Sequence, residues 1–171
     1  DIQPILDKHC VRCHNPDRYD GQLDLCGDKT SMYTISYWAM RTHDLVADGR
    51  NQPVGSRPPR SVGSSASRLM KYLDGSHYEA KLSPNEVKRI RLWIETSATY
   101  PGTYAALGCG TYGVGLPMGP MHQRCGECHL HGAKDKRGKP IRQWAFQGQS
   151  RTEVFCNLTR PEKSLMLRAP L

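Results

Sequence analysis

Apolar positions recur at helical spacing in four stretches of the chain. Ile2, Ile5, Leu6, His9, Cys10 and Cys13 fall on one face, which predicts a first helix carrying both cysteines on its buried side. Met32, Ile35, Trp38, Met40, His43 and Leu45 predict a second helix over 31 to 46. Ser64 reads as the N-cap of a short third one through Ala66, Leu69, Met70, Tyr72 and Leu73, stopped at Gly75. The fourth has the sharpest start. Ser83-Pro84-Asn85-Glu86 is a capping box with proline at the first helical position, followed by a stripe of Val87, Ile90, Ile94 and Ala98 with Trp93 adjoining. Tyr100-Pro101-Gly102 ends this regular part. Beyond it the periodicity fades: Gly108, Gly110, Gly113, Gly115 and Gly119 with Pro117 and Pro120 mark turns, and residues 134 to 139 form a basic loop. Gln143 to Phe146 and Phe155 to Leu158 read as short extended segments. The pattern predicts a mostly α chain, with a helical unit over 1–100 and a loop-rich unit over 101–171.

Composition shows how such a chain is held together. Only 37% of the 171 residues are hydrophobic and 8% aromatic, and 12 Pro and 16 Gly make much of it loop. A core this lean usually needs support from disulfides, metals or cofactors, which directs attention to seven Cys and seven His. No run approaches the roughly 18 apolar residues of a membrane-spanning helix. Collagen, coiled coil and wholesale disorder are excluded by composition. The chain starts at Asp1 without a leader-like segment and reaches Leu171 straight after an apolar run, so the expectation is a processed or excised portion of a longer polypeptide.

The cysteines carry the chemistry. Cys10-Val-Arg-Cys13-His14 and Cys125-Gly-Glu-Cys128-His129 share the pattern C-x-x-C-H, the attachment signature of c-type haem. At this Cys and His content one chance occurrence has a probability of about 0.01, so two accidents are a poor account. Two thiols three positions apart on a turn of helix add to the two vinyl groups along one porphyrin edge, and the next residue, His, reaches the iron as proximal ligand. A zinc site would separate its two Cys pairs by about 15 to 20 residues, whereas 111 residues lie between Cys13 and Cys125. A thioredoxin-like pair would need a βαβ setting that neither motif has. The expectation is two covalently attached haem c groups, held by Cys10, Cys13 and His14 and by Cys125, Cys128 and His129.

The distal ligands are less marked. Residues 75–82, Gly-Ser-His-Tyr-Glu-Ala-Lys-Leu, occupy the loop before the last helix, where a small class I cytochrome c presents a distal ligand, commonly Met. His77 takes that place as sixth ligand of the first haem, with His43 or an open iron as alternatives. An imidazole in place of a thioether lowers the reduction potential. For the second haem the candidates are His43, Met118, Met121, His122 and His131, a missing C-terminal segment, or a group from another chain. His9 shares the cysteine face; plain packing or solvent contact is its ordinary role, ligation of a neighbouring haem the alternative. Residues 49–63 form a Gly-, Pro- and Arg-rich loop in which Arg50, Arg57 and Arg60 either pair with haem propionates or are simply solvated. Cys26, Cys109 and Cys156 allow one disulfide in three pairings with one thiol left over, or three buried free thiols.

Several phrases carry a family resemblance. Ile2-Gln3-Pro4-Ile5-Leu6, Cys10-Val-Arg-Cys13-His14-Asn15-Pro16, Leu23-Asp24-Leu25, Ser67-Arg68-Leu69, and Leu82-Ser83-Pro84 through Leu92-Trp93-Ile94 resemble the planctomycete-type cytochrome c domain. Residues 100–108, Tyr-Pro-Gly-Thr-Tyr-Ala-Ala-Leu-Gly, and 157–165, Asn-Leu-Thr-Arg-Pro-Glu-Lys-Ser-Leu, resemble the dihaem region of hydrazine synthase alpha-subunit-like proteins. The resemblance spans nearly the whole chain. It implies a long polypeptide in which a dihaem section follows a propeller-type domain and continues further. In the hydrazine synthase alpha subunit the first haem is catalytic, with a Tyr shortly after C-x-x-C-H on the iron, and the second relays electrons; Tyr19 is the one residue here placed for that role.

Charge completes the reading. A net +8 is partly offset by about four haem propionates, which leaves a mildly basic protein suited to an acidic redox partner. Lys and Arg are scattered and no nucleic-acid motif is present, so nucleic acid is not expected. Covalent haem attachment and a persisting disulfide both imply an extracytoplasmic site: periplasm, an anammoxosome-like compartment or secretion. The expected function is single-electron transfer between redox partners. A haem enzyme with one open iron and a self-assembling electron-conducting module are the alternatives.

Overall fold

The computed structural model describes residues 2–30, 33–49, 55–100, 123, 134, 138 and 156–168. Among the described residues the α-helices are, in chain order, α1, Gln3–His9; α2, Ile35–Thr42; α3, Pro84–Glu95; and α4, Leu165–Arg168. Short 3-10 helices at Asp20–Gln22, Arg68–Tyr72 and Pro161–Lys163 join them. Among the described residues there is no strand; two isolated bridges, Lys29 with Thr34 and Asp74 with Lys81, close loops. The described part is therefore helix and loop, and none of its helices is long and apolar enough to cross a membrane.

The helices differ from expectation at their ends, each for a local reason. α1 stops at His9 rather than running through Cys13. Asn15 takes over the carbonyls that a helix end leaves unpaired: its Nδ2 donates to the Val11 oxygen at 2.8 Å and the Arg12 oxygen at 3.3 Å. Its Oδ1 accepts from the Asp17 and Arg18 amides, both at 3.0 Å, which starts the next turn. α2 begins at Ile35 because Thr34 caps it, accepting from the Tyr37 amide. Asp44, at φ 52°, turns the chain out of the helix.

Ser64 caps nothing. Its amide and hydroxyl both donate to Glu95 Oε1, at 2.9 and 2.5 Å, tying this stretch to the end of α3. Gly63 precedes it at φ +78°, where a Cβ would come 2.9 Å from Glu95 Oε2, so glycine meets both a conformational and a steric demand. The regular structure here shrinks to the 3-10 helix Arg68–Tyr72. α3 forms from its capping box: Ser83 Oγ accepts from the Glu86 amide at 3.3 Å, and Glu86 Oε2 accepts from the Ser83 amide at 2.8 Å.

One apolar cluster binds these pieces. Ile90 and Ile94 of α3 pack with Ile5 and Leu6 of α1, Met40 of α2, and Leu25, Leu45, Leu69, Leu73 and Leu82 from the loops. Cys10 and Val11 lie against its edge, so the first C-x-x-C-H is anchored to the core although it is not helical. Tyr33, Tyr37 and Tyr100 form a second, aromatic group, with ring centres 5.0 to 5.2 Å apart.

The last described stretch returns to the first. Asn157, 2% exposed, donates through Nδ2 to Asp28 Oδ2 at 2.5 Å, and Arg160 Nε donates to the same oxygen at 2.8 Å. The Leu158 amide donates to the Lys29 carbonyl at 2.8 Å, while the Lys29 amide donates to Thr159 Oγ1 at 2.9 Å. Lys163 pairs with Asp17. Of the segment expected as extended, Phe155 to Leu158, residues 156–158 are described: Leu158 bonds through its backbone to Lys29, and Asn157 donates its amide to Ser164 Oγ at 2.9 Å. Expectations for Gln143 to Phe146 and for the glycine-rich approach at 108–120 fall outside the described residues.

Candidate haem site

The turn after α1 builds the site. Cys13 and His14 donate their amides to the Cys10 carbonyl at 3.1 and 3.0 Å, one tight turn that holds the three residues close together. Cys10 is half-buried, and burial with Cys13 beside it pushes its thiol up to about 11.

His14 is oriented by backbone. Its Nδ1 lies 2.9 Å from the Asp20 carbonyl oxygen, which can only accept, so the contact places the proton on Nδ1 and leaves the Nε2 lone pair for a metal. The 3-10 turn Asp20–Gln22 that supplies this carbonyl follows Tyr19 in the left-handed region at φ 49°. The Leu25 amide in turn donates to the His14 carbonyl at 2.9 Å.

His77 faces it. The His14 and His77 ring centres are 6.0 Å apart and their planes differ by 6°. A histidine nitrogen binds a metal at about 2 Å and the ring centre lies ~1.1 Å further on, so two imidazoles on opposite sides of one iron have centres about 6 Å apart. The His14 and His77 rings, stacked and near-parallel beside Cys10 and Cys13, have that centre separation. Among the described residues no group of three or more His, Cys, Asp and Glu surrounds a common point. A haem iron asks for only two such ligands, because the porphyrin supplies the other four.

Two tyrosine rings pack against His77. Tyr72 lies 5.0 Å from the His77 ring at a 55° tilt, and Tyr78 meets it edge-on at 5.0 Å and 83°. The Arg12 guanidinium, from between the two cysteines, donates to the Tyr78 carbonyl at 2.7 Å. Neither Arg12, Tyr72 nor the Asp20 carbonyl carries a sequence signal for these contacts; only Tyr78, next to His77, was within reach of inspection.

The other candidates sit elsewhere. His43, just past α2, and Tyr19 line a cavity of about 300 Å³ together with Asp24, Thr42, Lys163 and Arg168, and neither His14 nor His77 is in its wall. His9 joins α1 to α3, its Nε2 3.3 Å from both Glu86 oxygens, with the side chain 13% exposed. Packing, its ordinary reading, describes it. Arg60 is exposed and Arg57 partly so, while Arg50 lies outside the described residues. Cys26 and Cys156 are free thiols. Burial, with Asp24 alongside, pushes Cys26 up to about 12, and burial raises Cys156 as well. Cys109, Cys125, Cys128 and His129 lie outside the described residues, as do Met118, Met121, His122 and His131.

No known protein family, curated protein or solved structure matches the chain. The functional reading therefore rests on the motifs and on this geometry.

Proposed function

We propose that the chain is a dihaem c-type cytochrome that passes single electrons between redox partners, an electron carrier rather than a catalyst. The observation that carries this reading is the near-parallel pair His14 and His77, 6.0 Å apart, beside Cys10 and Cys13 of the first C-x-x-C-H. When bound, haem supplies a one-electron iron couple whose potential depends on axial ligands, burial and hydrogen bonding. The two cysteines fix its edge. His14 and His77 would be the two protein residues that bind its iron, and two imidazoles favour a lower potential than His with Met. The Asp20 carbonyl fixes the tautomer of His14, and the Tyr72 and Tyr78 rings pack against His77.

The second haem is assigned to Cys125, Cys128 and His129 because they repeat the motif. Kinship with the dihaem region of hydrazine synthase alpha-subunit-like proteins and an extracytoplasmic location belong to the same proposal. So does an acidic partner: α3 turns Lys88, Arg89 and Arg91 to solvent around Leu92, itself 54% exposed, a cationic face with an apolar centre. Intact mass with a haemochrome assay on the chain, expressed with a cytochrome c maturation system, tests the assignment. Two covalently added haems are expected; an unmodified polypeptide mass would remove it.

A further inference from the structure

The loop that carries His77 is strained, and one residue of the haem motif holds it. Tyr78 and Glu79 follow His77 with φ 47° and 65°, two successive non-glycine residues in the left-handed region. Such conformations persist where surrounding contacts over-determine them, and they concentrate at ligand clamps. Within the loop, Ala80 donates to the His77 carbonyl at 2.9 Å, Lys81 to the Glu79 carbonyl at 2.7 Å, and Leu82 to Leu73 at 3.2 Å. Among the described residues, the hydrogen bond that reaches residues 76–80 from outside the loop is donated by Arg12, at 2.7 Å to the Tyr78 carbonyl. Arg12 stands between Cys10 and Cys13, on the segment that carries His14.

We propose that Arg12 is a positioning residue for the distal ligand: its guanidinium clamps the strained 77–79 turn to the C-x-x-C-H segment and so keeps the His77 imidazole parallel to that of His14. The inference rests on the reading of His14 and His77 as axial ligands. A charged donor to a backbone carbonyl is among the stronger hydrogen bonds, and it acts at the residue next to the ligand. Without it the loop relaxes toward ordinary backbone angles and His77 leaves the iron more often. Lysine in its place keeps the charge but not the planar fork, so it restores the clamp only in part. Glycine at position 79 removes the conformational penalty at its source and stabilises the closed loop.

The test is carbon monoxide binding to the reduced full-length holoprotein, with EPR of the oxidised form and intact mass as controls. Arg12→Ala is expected to speed carbon monoxide displacement of His77 about tenfold, the net loss of one charged but solvent-exposed hydrogen bond, and to add a high-spin signal at unchanged haem content. Arg12→Lys should fall between. Glu79→Gly should slow displacement several-fold and, combined with Arg12→Ala, return the rate toward wild type. Rates unchanged in Arg12→Ala, or unchanged or faster in Glu79→Gly, would overturn the clamp. If Arg12→Ala fails to take up haem, Arg12→Lys and Arg12→Gln decide in its place: displacement at the wild-type rate in both would overturn the clamp. A wild-type protein without attached haem, or with the first iron already open, would overturn the ligand reading itself and the clamp with it.

Discussion

His14 and His77, sixty-three positions apart in the chain, hold their imidazole planes within 6° of parallel at a centre separation of 6.0 Å. Nothing local brings them together. The turn after α1 positions one, the loop between Asp74 and Lys81 positions the other, and the apolar cluster around Ile90 and Leu6 fixes both supports. Replacing His77 by Ala should therefore convert the first haem to a high-spin, carbon-monoxide-binding form without loss of attachment. His77→Met should restore six-coordination at a raised potential, as the weaker donor requires. Optical spectra and a redox titration read both.

The second motif makes a separate prediction. The double variant Cys125→Ala/Cys128→Ala should carry one covalent haem by intact mass, against two in the wild type. An unchanged mass would take the second attachment site away from these residues.

Acid should weaken the junction of α1 with α3. Glu86 is held down to about 2, first by the Ser83 amide, then by Lys8, with the Ser83 hydroxyl and His9 adding to it. A carboxylate whose folded pKa is depressed adds stability above its ordinary value of 4.5, and that contribution is lost as pH falls from there toward 2. Chemical denaturation across this window should show wild type losing stability more steeply than Glu86→Gln. Equal slopes would remove Glu86 from the acid response.

Asp28 ties the end of the described chain to its beginning. Asp28→Ala removes the acceptor shared by Asn157 and Arg160, and leaves the buried Asn157 amide without it. A loss of roughly 1–3 kcal/mol is expected, the cost of one unsatisfied buried group, together with faster proteolysis at Lys163. Resistance equal to wild type would show that the segment is held by other contacts.

These contacts show what a sequence can and cannot convey. The capping box at Ser83 and Glu86 was legible because donor and acceptor lie three residues apart, and both haem motifs because their chemistry is local. The end of α1 was not: periodicity ran on through Cys13, while Asn15 captured the carbonyls of Val11 and Arg12. Ser64 looked like a cap because Ser often is one, yet Glu95 claims its hydroxyl from across the fold. His77 was within reach through its place in the loop before α3. Arg12 was not, since a variable position inside C-x-x-C-H says nothing about a carbonyl brought near by tertiary packing. The pairing of Asp28 with Asn157 and Arg160 likewise joins distant segments, and no periodicity encodes it.

The most direct test of the central claim is the low-temperature EPR spectrum of the oxidised, haem-loaded chain, with carbon monoxide added to the reduced form. The account predicts a low-spin signal from the first haem, with g values typical of two near-parallel imidazoles, and no carbon monoxide adduct at that iron. A high-spin first haem that binds carbon monoxide in the wild-type protein would contradict it and point to an open, catalytic iron.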